Sequence, residues 1–75
     1  MSRNPDLDRL DTLATMIRDG DTAALRQFDS LSTSERRYVA LAADRHDLLG
    51  DSIVGALDRI GEQWAAELVQ RHRFA

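Results

Sequence analysis

The chain has no cysteine, a single proline, four glycines and few aromatic side chains: one Trp, one Tyr and two Phe. Without cysteine there is no disulfide and no thiolate metal site, and a reducing compartment is the natural setting. At 75 residues, a fold with no such staple must rest on well-packed helices or on association with another chain. Lysine is absent as well: all ten basic residues are arginine, set against 13 acidic ones for a formal charge of −3. So mild an acidic excess disfavours a nonspecific polyanion binder, which draws its affinity from neutralising phosphates. Arginine rich alongside alanine and aspartate reads as coding composition rather than as a functional use of guanidinium. No apolar run is long enough to cross a bilayer. Met1 to Pro5 lacks the apolar segment of a secretory signal, so the expected location is the cytoplasm.

What is present is helical periodicity along a single domain, residues 1–75, with residues 1–4 expected to fray. Asn4 and Pro5 suit the cap and first position of helix one, and Asp6 and Asp8 favour the positive end of its dipole. Leu7, Leu10, Leu13, Ala14 and Ile17 form its buried stripe, with Met16 off it, and Gly20 ends it. Asp21 caps a short helix two, Thr22 to about Ser30, whose apolar side is Ala24, Leu25 and Phe28. Ser32 and Glu35 have the spacing of a capping box. Helix three then runs to about Leu49 on Tyr38, Val39, Leu41, Ala42 and Leu49.

After Gly50, with Asp51 or Ser52 as cap, a long helix four is expected to reach Arg73. At about 100° per residue, Ile53, Leu57, Ile60, Trp64 and Leu68 fall in one arc. Val54, Gly61, Ala65 and His72 form a second stripe beside it. Arg59, Glu62, Gln63 and Gln70 take the far side. The apolar spacing stays in phase from Ile60 to Trp64 to Leu68. This favours a continuous helix in which Gly61 permits close approach of a neighbour, at a cost of about 1 kcal/mol against Ala. The expected fold is an all-α, three- to four-helix bundle with the long C-terminal helix at its centre and Trp64 as core anchor.

Residues that could carry chemistry fail on geometry. Asp44, His46, Asp47 and Asp51 are the densest candidate metal ligands, but on a helix His46 points away from Asp44 and Asp47. Counting a calcium loop from Asp44 puts Leu49 and Gly55 where a glycine and a bidentate acid belong. Gly50-Asp51-Ser52 has the letters of a hydrolase nucleophile turn, yet a helix and not a strand precedes it. No metal and no cofactor is expected, and the chain does not read as an enzyme.

The leading expectation is therefore a non-enzymatic protein–protein interaction module, acting as regulator, adaptor or inhibitor. Its partner-facing residues would be Met16, Arg45, His46, Val54, Gly61, Ala65, Val69 and Phe74. Arg45 and His46 enter because they fall within or beside the apolar arc of helix three. Self-association is expected through the small-residue stripe of helix four, as a homodimer. The alternative is a nucleic-acid-associated transcriptional regulator using Arg36, Arg37, Arg71 and Arg73. A helix-turn-helix is a poor match: a turn at Gly50 puts His46 and Ala56 at the positions the motif gives to a small and an aliphatic residue.

Overall fold

The computed structural model of the protein describes residues 5–50 and 52–72. It has five α-helices: α1 (Pro5–Arg18), α2 (Thr22–Asp29), α3 (Thr33–Ala42), α4 (Ile53–Ile60) and α5 (Glu62–Arg71), with a short 3-10 turn at His46–Leu48. There is no strand among the described residues. Among them, too, no helix is long and apolar enough to cross a membrane.

The helix boundaries follow local chemistry. Gly20, at φ +86°, closes α1. Its amide donates to the Ile17 carbonyl and that of Asp21 to the Met16 carbonyl, so the last orphan carbonyls of α1 are satisfied. Asp21 then turns its carboxylate onto the amides of Ala23 and Ala24, at 2.9 and 3.3 Å, and starts α2. The capping box at α3 is complete. Ser32 Oγ accepts from the Glu35 amide at 3.3 Å, and Glu35 Oε1 accepts from the Ser32 amide at 3.0 Å. Ser32 donation draws the Glu35 carboxyl below its ordinary pKa, and Arg9, 2.9 Å from Glu35 Oε2, pulls the same way.

Helix three is shorter than its apolar spacing suggests. Asp44 adopts φ +56°. Its amide donates to Leu41, and that of Arg45 to Ala40, the same closing pattern as at Gly20. Short polar side chains tolerate this left-handed conformation better than other residues do. Arg45 and His46 thus leave the helix, and Leu49 lies beyond the 3-10 turn.

The long C-terminal helix is two helices. Gly61, at φ +93° and ψ +158°, ends α4 and opens α5. Its carbonyl accepts from the Ala65 amide at 2.9 Å, the first bond of the new helix. A Cβ built on Gly61 would meet nothing within 4 Å. Glycine stands there because the backbone is in a region that essentially only glycine adopts, and not because a neighbour comes close.

The centre of the molecule is α3. Every residue from Tyr38 to Ala43 is buried, and α3 packs against α1, α2, the 3-10 turn, α4 and α5. The C-terminal half of α3 is apolar on all sides, as suits a segment inside a bundle. Tyr38, not Trp64, is the core anchor. It is the largest fully buried side chain, whereas Trp64 is half-buried and meets the Tyr38 ring edge-on, with centroids 5.8 Å apart.

Around the Tyr38 hydroxyl, three helices are tied by charge. The hydroxyl donates to Asp11 Oδ1 at 2.7 Å. His72 Nε2 lies 2.6 Å from the same oxygen, and since a carboxylate only accepts, that nitrogen carries the proton. Arg71 donates to Asp8, Asp11 and Glu67 at 2.7, 2.8 and 2.8 Å. Among the described residues no buried side-chain nitrogen or oxygen lacks a partner.

Candidate functional site

Breaking the C-terminal segment at Gly61 opens an apolar groove between α4, α5 and the end of α3. Its volume is about 470 Å³, and its lining is Leu41, Leu57 and Leu68 with Ile53, Val69, Asp44 and His46. Leu41 and Leu68 are buried and form the floor. Ile53 and Val69 stand as walls and remain 42% and 59% exposed. Val54, next to Ile53 and one turn before Leu57, is 77% exposed. These are the exposed large hydrophobic residues among those described, and all belong to α4 and α5. The rim is polar: His46 Nε2 sits 3.0 Å from Asp44 Oδ1.

Sequence-based expectation and geometry agree only in part. His46 and Val69 line the groove together, and Val54 lies beside it. Arg45 turns outward instead, in a two-pronged pair with Asp47 at 2.9 Å through each prong. Gly61 is the break between helices. Ala65 is half-buried against the core, so it offers no open stripe with Gly61. Met16 lies elsewhere, lining a hollow of about 370 Å³ with Arg9, Leu13, Gln27 and Leu31. Phe74 and Arg73 are outside the described residues. Of the other arginines, Arg71 is engaged by three carboxylates, while Arg36 and Arg37 share a separate hollow.

Sequence reasoning put Ile53, Leu57 and Leu68 in the core by their common arc; Leu68 is buried and Leu57 half-buried against the core, whereas Ile53 stands exposed on the groove wall. The misassignment traces to the assumption of one straight helix. Once the chain bends at Gly61, residues of α4 and α5 on one nominal face no longer point one way.

Chemically the groove can hold apolar side chains and little else. Among the described residues that line it, the polar side chains are the Asp44–His46 pair, and none is a Ser, Thr, Cys or Lys nucleophile. The Asp11–Tyr38–His72–Arg71 cluster is richer, but its groups serve one another. Both oxygens of Asp11 accept hydrogen bonds, Oδ1 from Tyr38 and His72 and Oδ2 from Arg71. Among the described residues no group of three or more His, Cys, Asp or Glu side chains is arranged to hold a metal ion. Compared with known protein families, curated proteins and solved structures, the chain matches none of them.

Proposed function

We propose that this chain is a non-enzymatic helical interaction module, a regulator, adaptor or inhibitor that binds a protein partner through the α4/α5 groove. One observation carries the reading: Ile53 and Val69, both exposed, line the same groove together with Leu41, Leu57 and Leu68. Contiguous exposed apolar surface on so small a domain marks a contact surface. A groove between two short helices suits apolar side chains presented at helical spacing. The absence of cysteine fits action in the cytoplasm.

Self-association is the form of this reading to test first. The groove offers a hollow and α4 also carries the exposed Val54, and an interface about a two-fold axis pairs a hollow with a projection. Val69→Glu puts a charge on the groove wall at an exposed position, so it should leave stability within about 0.5 kcal/mol. Light scattering over a dilution series should show wild type shifting towards twice the monomer mass and Val69→Glu staying monomeric. If both stay monomeric, capture from the native host's lysate with wild type and Val69→Glu tests the wider reading. A partner retained equally by both proteins would refute the groove as the contact site.

A further inference from the structure

Asp21, Ser32 and Ser52 cap the starts of α2, α3 and α4 with their side chains, whereas Gly61 has none to give α5. An unbroken helix would instead offer the amides of Glu62 and Trp64 the carbonyls of Asp58 and Ile60. The side-chain pattern suits that form too, since Ile60, Trp64 and Leu68 keep helical phase across Gly61. Glycine can adopt both the present conformation, at φ +93°, and a helical one. One residue is thus the whole hinge between α4 and α5, and the space where its Cβ would lie is open. Undocking α5 exposes little: Leu68 is its one buried side chain, with Trp64 and Ala65 half-buried against the core. At its far end Arg71 and His72 hold α1 through Asp8 and Asp11.

We propose that α5 is an exchangeable element. Straightening at Gly61 carries it onto a second copy of this chain, where it takes the place of that copy's own α5. The reciprocal exchange gives a two-fold dimer, and short hinges are where such swaps arise. Each docked α5 makes the contacts it makes in the monomer, Trp64 against Tyr38 and Arg71 against Asp8 and Asp11, now between chains. What the dimer adds is an unbroken helix in each copy. The groove then draws Leu41, Ile53 and Leu57 from one chain and Leu68 and Val69 from the other, so it becomes a joint site. Exchange itself needs no contact through the groove, and either reading can fail without the other.

The test is refolding of the full chain at high protein concentration from a mixture of ¹³C-labelled and unlabelled copies. Light scattering then gives the mass, and an isotope-filtered NOE experiment reads contacts between copies. The chain has one Trp and one Tyr, with ring centroids 5.8 Å apart. A Tyr38–Trp64 signal between labelled and unlabelled copies therefore reports exchange and not side-by-side association. The expected result is a dimer carrying that signal. Gly61→Ala disfavours the hinge in both copies and favours the unbroken helix, so it should tighten dimerisation by about tenfold or more. Val69→Glu added to Gly61→Ala should leave this dimer intact, unlike a dimer held through the groove. Arg71→Gln weakens the same clasp in monomer and dimer, so it should speed their interconversion and leave their ratio unchanged. If Gly61→Ala fails to fold, the wild-type dimer and its signal decide the matter. Absence of a dimer from both wild type and Gly61→Ala, or a dimer without the Tyr38–Trp64 signal between copies, would overturn the proposal.

Discussion

A phenol in the middle of a small core is a polar atom that must find a partner, and Tyr38 finds it in Asp11. Burial first, and then the hydrogen bond to that carboxylate, push the phenol well above its ordinary pKa. The neutral form is thus favoured in the folded state. Stability from this group is fully present below the unfolded value, about 10, and is lost as pH rises from there towards the folded value. Tyr38 is the one tyrosine, so the ultraviolet difference band of tyrosinate reads its ionisation alone. The phenol should stay neutral until the protein unfolds in alkali, and a reversible titration near pH 10 in the folded protein would contradict the placement. Tyr38→Phe should cost about 1 kcal/mol in denaturant unfolding. Glu35 has the opposite sign. Its lowered pKa, set mainly by the Ser32 amide, contributes stability that is present above the ordinary carboxylate range and lost as pH falls through the folded value. Ser32→Ala should cost about 1 kcal/mol at neutral pH. The advantage of wild type over Glu35→Gln should shrink on acidification, and a gap constant down to pH 3 would mean the box is not formed in solution.

At the level of elements, the sequence was legible wherever a boundary has a chemical signature. Gly20, Asp21, Ser32 with Glu35, and Ser52 all mark ends that the structure places there, because each acts through its own side chain or lack of one. The ends at Asp44 and Gly61 were not. Ala42-Ala43-Asp44 contains no glycine, and the left-handed turn rests on Asp44, a residue type only modestly suited to it. The one available signal was the polar pair Arg45 and His46 in an otherwise apolar arc, which marks a helix already finished. At Gly61 the apolar spacing carried on in phase from Ile60 to Trp64, so periodicity alone could not distinguish a straight helix from a break. The groove inherits that blindness, since it exists only because of the break. Gly61→Ala tests the point directly. With open space around the Cβ position, any loss comes from the backbone alone, and the melt should report about 1–3 kcal/mol of destabilisation. A gain in stability would mean that the continuous helix is accessible to this chain.

For the molecule as a whole, all-α class and the stripes of α1 to α3 could be read in advance, while the choice of centre could not. Periodicity ranks helices by the contrast between their faces, and this drew attention to the strongly amphipathic C-terminal segment. The true centre, α3, has little contrast across its C-terminal half because it is buried from Tyr38 through Ala43. Ala40, Ala42 and Ala43 look unremarkable in a sequence, yet their small size is what lets other helices close around one axis.

The tie between α1 and α5 has a kinetic consequence. Arg71 reaches Asp8 and Asp11 across 63 and 60 positions of sequence, so making these contacts means closing almost the whole chain. Capping boxes and neighbouring helix pairs require far shorter loops and can form first. The clasp should therefore be set after the rate-limiting step of folding, as the last stitch and not the first. Arg71→Gln should lower stability by about 1–3 kcal/mol. In stopped-flow experiments nearly all of that loss should appear as faster unfolding, with the refolding limb of the chevron almost unmoved. A refolding rate that falls in proportion would place the clasp in the nucleus. If the expected pattern holds, the lifetime of the native state is governed by a few charged groups where the first helix meets the last, and raising the salt concentration should shorten that lifetime without slowing its recovery.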